Sequence, residues 1–261
     1  MGIQLDIVSV SGQIATLFAV DIGNSAIKLY SNYNKFFYSY KSNWEKEIKL
    51  LLGSLSNQIV LFVVSSVNSE KYNYFSSLID LNIFHKIIKV DEMFLTQKII
   101  SFKKVQNIGN DRKLGLIAAT TYSDPPFITV DLGTATTINF VNADYECLGG
   151  AILPGIFTQL RSLVENTAAL KRIKLESPTE ILGMDTNSAV SSGIINGMLG
   201  TILFFINNLR CQFKDNTIKV FVTGGNARWV YDALMLKSNE IYEKPNLVLE
   251  GIVKLAKNYF Q

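Results

Sequence analysis

Residues 20–30, Val-Asp-Ile-Gly-Asn-Ser-Ala-Ile-Lys-Leu-Tyr, and residues 130–140, Val-Asp-Leu-Gly-Thr-Ala-Thr-Thr-Ile-Asn-Phe, decide the fold. Each is an apolar block ending in an aspartate, followed by a glycine turn and a second apolar block. Short apolar runs joined by such turns predict strands in hairpins. Around the first turn the expected strands are Thr16–Asp21, Ala26–Ser31 and, after Asn32-Tyr33-Asn34, Lys35–Tyr40. Around the second they are Phe127–Asp131, Ala135–Val141 and Glu146–Leu153. A signature that recurs with the same elements around it marks a duplicated half.

Outward from the first meander, the pattern predicts a helix over Asn43–Leu52 and a buried strand over Ile59–Ser65. A helix over Ser69–Leu81 and a strand over Ile87–Val90 complete the order βββαβαβ. A helix from Asn110 to about Tyr122 leads to Ser123-Asp124-Pro125-Pro126, where proline restricts the preceding residue and a boundary is expected. The expected domains are therefore 1–123 and 124–261. In the second half helices precede a strand at Ile218–Val222. Met1 to Ala15 reads as an extension before the first strand, without the charged start or cleavage site of a secretory signal.

Lys and Arg number 25 against 22 Asp and Glu, and the basic residues are scattered. That balance carries no electrostatic footprint for nucleic acid or a membrane surface. No uninterrupted apolar run reaches the length of about 18 residues that a membrane span needs. Cys147 and Cys211 are too few for a disulfide framework and lack metal-site spacing, which fits a reducing cytoplasm.

A carboxylate at the end of a buried strand, followed at once by a glycine turn, supplies both parts of a phosphate–metal site. Asp21 can hold Mg²⁺, and the N–H groups of Gly23, Asn24 and Ser25 can meet phosphate oxygens. Lys28 can add a point charge. Taken alone the segment is equally a plain hairpin, and repetition is what favours the functional reading. In the second copy Thr134 is the better phosphate candidate, since Thr136 and Thr137 also suit ordinary strand filling. Asp111, beside Asn110 at a helix start, can accept the proton of an attacking hydroxyl, although Asn110 is the more natural cap. Arg112 suits a bidentate contact or a surface ion pair. His85, the sole histidine, lies among apolar residues with no motif around it. Gly149-Gly150 and Pro154-Gly155, read as flanking a strand and opening a helix, allow either close approach to a ligand or tight packing.

Five motifs in order make the reading specific: Asp21-Ile22-Gly23-Asn24-Ser25-Ala26-Ile27-Lys28, Gly109-Asn110-Asp111-Arg112, Asp131 to Thr137, Gly149 to Gly155, and Thr223-Gly224-Gly225. With lesser echoes at Ser65-Ser66-Val67, Thr167-Ala168 with Leu170, and Gly183 to Thr186, they resemble the motifs of type III pantothenate kinases over most of the chain. The resemblance implies an α/β fold of two duplicated ribonuclease-H-like domains, the actin-like ATPase architecture, facing each other across a nucleotide cleft. It implies ATP-dependent phosphorylation of pantothenate to 4′-phosphopantothenate, the first step of coenzyme A biosynthesis. Asp111 would be the general base, and Gly109, Asn110, Arg112 and Thr186 would bind pantothenate. Residues 21–28 with Thr134 would bind ATP, and Asp131 would hold a monovalent cation, K⁺ or NH₄⁺. The family also implies a cytoplasmic homodimer. The apolar stretch from Thr186 to Cys211 is compatible with that, because it predicts a helix buried on two sides, within its own domain or against a second copy.

Four departures bear on the pocket. Phe102-Lys103-Lys104-Val105 stands where the family has an aromatic-x-Asn-Pro run, and Asn139, Lys171 and Asn226 replace residues common there, the last an aspartate. They leave open a non-catalytic nucleotide-binding relative and a phosphohydrolase that uses water as acceptor.

Overall fold

Two β-sheets with one strand order organise the chain. The structure, a computed structural model, describes residues 7–10, 12–31, 34–79, 85–167, 170 and 173–261, the side chain of residue 10 excepted. The expectations at Met1 to Asp6, Leu81, Ala168 and Lys171 lie outside the described residues.

The first sheet contains β1 (Ile7–Val10), β2 (Gln13–Ile22), β3 (Ala26–Ser31), β4 (Asn34–Ser39), β5 (Val60–Ser66) and β6 (His85–Lys89). Its order is β4-β3-β2-β5-β6, with β1 paired to the N-terminal part of β2. The meander β2-β3-β4 is antiparallel, while β5 and β6 run parallel to β2. The second sheet contains β7 (Phe127–Leu132), β8 (Ala135–Val141), β9 (Cys147–Pro154), β10 (Lys219–Thr223) and β11 (Ile241–Glu243), in the order β11-β10-β7-β8-β9. Again a three-strand meander is followed by two parallel strands. The expected duplication is therefore present in topology. The supposed N-terminal extension in part forms a hairpin with its own turn at Gly12, because residues 13–15 continue the first central strand.

Helices cover the sheets where their apolar residues share a face. In α1 (Trp44–Ser54) the residues Trp44, Ile48 and Leu52, four apart, are all buried. They join Phe18, Phe62 and Phe75 in the first core, where each large side chain removed from water contributes about 1.5–3 kcal/mol. Then follow α2 (Ser69–Leu78), α3 (Val90–Phe94), α4 (Asn110–Ala119), α5 (Ile156–Asn166), α6 (Thr186–Phe213), α7 (Tyr231–Met235) and α8 (Leu247–Tyr259). His85 is buried in β6, with Nε2 3.3 Å from the Leu55 carbonyl and its ring edge-on to Phe62, a packing role.

The chain divides into two compact units that cross the sequence boundary expected near residue 123. One takes in the described residues up to 100 with 107–118 and 247–261, the other 101–106 and 119–246. The C-terminal helix α8 belongs to the first because it packs on β2, β5 and α3 and meets the Leu114 backbone at Gly251. Its apolar stripe has a sheet to cover there.

Burial along α6 bears on one of the two expected coverings, that within its own chain. Ser191, Ile195, Met198, Ile202 and Ile206 form one buried stripe at helical spacing, joined by Ser192 and Ile194. Phe204 is 61% exposed on the opposite side, so within the described chain the helix is covered on one side. Its length and composition alone would let it cross a membrane, but the buried stripe packs in the core of the second sheet.

Candidate active site

Asp21 lies at the end of β2 and faces Lys28 across the β2–β3 register. Lys28 Nζ stands 3.1 Å from Asp21 Oδ2, a pair in which the carboxylate is mostly covered and the lysine half-exposed. Lys28 therefore neutralises the aspartate directly. The turn closes with the Gly23 N–H donating to the Ala26 carbonyl at 3.0 Å, and Val67 N–H donates to the Ile22 carbonyl at 3.1 Å. Tyr40, which the sequence did not single out for the site, donates its hydroxyl to the Gly23 carbonyl at 3.1 Å. Its ring packs edge-on against Trp44 and lies under Lys71 Nζ. Burial, and then the charge of Asp21, push the Tyr40 hydroxyl up to about 12, so near neutrality it remains a donor.

Also in the first unit, α4 carries the predicted base in its first turn. Asp111 Oδ1 accepts from the Arg112 N–H at 2.8 Å, and the Gly109 carbonyl accepts from the Lys113 N–H. Any Cβ at position 109 would come within 2.6 Å of Asp111 Oδ1, so glycine makes room for the carboxylate. Asn110 directs its side-chain amide to Asp91 Oδ1 at 3.0 Å. Asp111 and Arg112 are half-buried, open enough to meet a small solute.

The second turn repeats the first with one residue fewer. Gly133 N–H donates to the Ala135 carbonyl at 3.0 Å, and Asp131 lies opposite Thr137 where the first copy has Lys28. Two segments grip this turn. Thr134 carbonyl accepts from the Gly155 N–H at 2.9 Å and from the Thr158 hydroxyl at 2.7 Å, both at the start of α5. Beyond β10, Asn226 donates its backbone N–H to the Leu132 carbonyl and its side-chain amide to the Gly133 carbonyl, each at 3.0 Å. Gly224 makes this approach possible: its φ is +97°, and a Cβ there would stand 2.5 Å from both Asp131 Oδ1 and the Leu132 carbonyl. Asn226 thus has a use that an ionised aspartate, which cannot donate, would not serve.

Other expectations fall as follows. Gly149-Gly150 lie inside β9, beside the irregularity in its pairing with β8, and do not flank the strand, whereas Gly155 does precede α5. Thr136 and Thr137 are buried strand residues. Thr186 is the exposed first residue of α6, behind the Asp185–Ser188 capping box. It borders an open cavity of about 930 Å³ with Thr158, Gln159, Ser162 and Met184.

In Mg²⁺–nucleotide sites one or two carboxylates commonly hold the metal together with phosphates, so Asp21 beside the Gly23 turn fits that donor set. Among the described residues no cluster of three or more His, Cys, Asp or Glu could form an all-protein metal cage.

Comparison with known proteins identifies the family and the fold. The sequence model of the family described as Type III pantothenate kinase matches residues 17–208. The chain is 38% identical over 150 residues to the type III pantothenate kinase of Synechococcus elongatus, a match spanning 58% of this chain and 60% of that one. It is 31% identical over 242 residues to that of Flavobacterium johnsoniae, spanning 90% and 95%. Among solved structures, a Campylobacter jejuni protein of the Baf family superposes with a TM-score of 0.57 at 22% identity, over 92% of this chain and 98% of that one. An archaeal actin homologue, Ta0583, does so with a TM-score of 0.50 at 12% identity, over 93% and 99%. These two likenesses bear on fold alone, and the fold is the duplicated, actin-like α/β architecture. With the motifs in order along a twice-used sheet topology, the chain belongs to the type III pantothenate kinase family.

Proposed function

We propose that the two hairpin turns and the first turn of α4 divide the work of pantothenate phosphorylation among them. The chain is an ATP-dependent pantothenate kinase, a transferase with an alcohol acceptor, and its reaction is the first step of coenzyme A biosynthesis. One observation carries the division of labour. In both sheets a strand-end aspartate is followed by a glycine whose N–H closes a turn onto an alanine carbonyl.

The first turn, residues 21–28, holds ATP phosphates through backbone N–H groups, with Asp21 as the Mg²⁺ carboxylate and Lys28 balancing charge. The Mg²⁺ that accompanies ATP offsets charge on the phosphate oxygens. Thr134 binds phosphate in the second turn, and Asp131 holds a K⁺ or NH₄⁺ ion, which offsets repulsion between carboxylate and phosphate. Asp111 accepts the proton of the attacking pantothenate hydroxyl. Arg112 pairs with the pantothenate carboxylate, Gly109 and Asn110 shape that pocket, and Thr186 adds a contact from the rim of its cavity.

The enzyme acts as a cytoplasmic homodimer. Support for the dimer is the uncovered side of α6, where exposed Gly193, Gly197, Gly200 and Phe204 follow at helical spacing and would let a second helix approach closely. Dilution that separates the copies would then lower activity.

The test of the reaction is product identification with ATP, Mg²⁺ and K⁺, with and without pantothenate. Phosphopantothenate formed only in its presence is the expected result. Orthophosphate release without pantothenate would identify a hydrolase, and no turnover at all would identify a nucleotide-binding relative.

A further inference from the structure

The carbonyl of each turn glycine is held from outside the turn by a side-chain donor. Tyr40 Oη donates to Gly23 at 3.1 Å, and Asn226 Nδ2 donates to Gly133 at 3.0 Å. The two donors do not occupy equivalent places in the duplicated halves. Tyr40 follows β4, the last strand of its meander, whereas Asn226 follows β10, a parallel strand. Duplication by itself would have put the same contact at matching positions. Two unrelated side chains therefore meet the same requirement.

The requirement follows from peptide geometry. A trans peptide is planar, so the carbonyl of one residue and the N–H of the next point in opposite directions. Fixing the Gly23 carbonyl fixes the Asn24 N–H, and fixing the Gly133 carbonyl fixes the Thr134 N–H. The internal bond of each turn uses the glycine N–H, so these two N–H groups are left outside it. We infer that Tyr40 and Asn226 are positioning residues that aim the Asn24 and Thr134 N–H groups at nucleotide phosphates. The inference rests on the reading of both turns as phosphate holders. A turn free to rotate this peptide would present a carbonyl oxygen to the phosphate in some fraction of conformers, and the two would repel. The protonated Tyr40 hydroxyl and the Asn226 amide both hold the peptide the other way.

Titration calorimetry of the full chain with ADP and with adenosine, both with Mg²⁺, separates the two ideas. Wild type should bind ADP more tightly than adenosine, and equal affinity would overturn the phosphate reading itself. Tyr40→Phe and Asn226→Ala lack the donor, and each should lose about tenfold in ADP affinity with adenosine unchanged. KM for ATP should rise in proportion while KM for pantothenate stays, a split that general destabilisation would not produce. Should Asn226→Ala fail to fold, Asn226→Leu fills the same volume without a donor and gives the same reading. If wild type prefers ADP but the folded variants keep the wild-type ratio of ADP to adenosine affinity, the positioning inference is wrong.

Discussion

The turn after β2 and the turn after β7 have the same backbone plan and different electrostatics. Both close on an alanine carbonyl, but two residues separate glycine and alanine in the first and one in the second. The first aspartate faces Lys28 and the second faces Thr137. The first is held by Tyr40 and, at Ile22, by the Val67 N–H after β5, the second by the α5 start and by the segment after β10. A duplicated scaffold has thus kept the feature that any anion requires, backbone N–H groups on a tight turn, and changed the charge beside it. A lysine stands across from one carboxylate and a hydroxyl residue across from the other.

The sharpest break of that comparison removes the group that belongs to neither turn. Asp111→Asn should lower kcat by about 10²–10⁴-fold while ATP binding by calorimetry stays close to wild type, because the amide keeps the shape but cannot accept a proton. Retention of more than about a tenth of kcat would mean that the base is elsewhere.

The two aspartates should then behave differently. Asp21→Ala should weaken MgATP binding at least about tenfold, roughly 1.4 kcal/mol, and leave pantothenate binding intact. Replacing K⁺ by Na⁺ at constant ionic strength should depress kcat in wild type and scarcely further in Asp131→Ala. If both variants responded alike to Mg²⁺ and K⁺, the electrostatic contrast between the turns would have no functional meaning.

A structural contrast follows from the grip on the second turn. Gly224→Ala forces a side chain into positive φ and onto Asp131 and Leu132, at a cost of about 1–3 kcal/mol. Urea unfolding should register that loss, and an unchanged midpoint would show that the approach can relax. The smallest effect concerns the helix beside Thr186. Hydrogen bonds from the Ser188 backbone and hydroxyl hold the Asp185 carboxyl below its usual 3.8. A depressed folded value contributes stability above the unfolded value and loses it as pH falls through the folded one. Asp185→Ala should therefore lower Tm slightly at neutral pH, and the difference should shrink in acid. A gap that stays constant down to the acid limit would assign the effect to something other than the charged cap.

The sequence by itself determined the two three-strand meanders, their glycine turns and the candidate chemistry, because those signals are local. A short apolar run, a strand-end aspartate with an adjacent glycine, and an acid at a helix start are each written within a few positions, and Asp21, Asp131 and Asp111 were legible for that reason. Only the tertiary structure decided the rest. Tyr40 is 17 positions from Gly23 and Asn226 is 93 from Gly133, and no local pattern announces which carbonyl such donors reach. Likewise α8 lies within 124–261, the expected second domain, yet it covers β2 and β5 of the first sheet. An apolar stripe states that a helix must be buried. Which surface buries it depends on where the rest of the chain leaves a sheet uncovered, and that is a property of the packed whole.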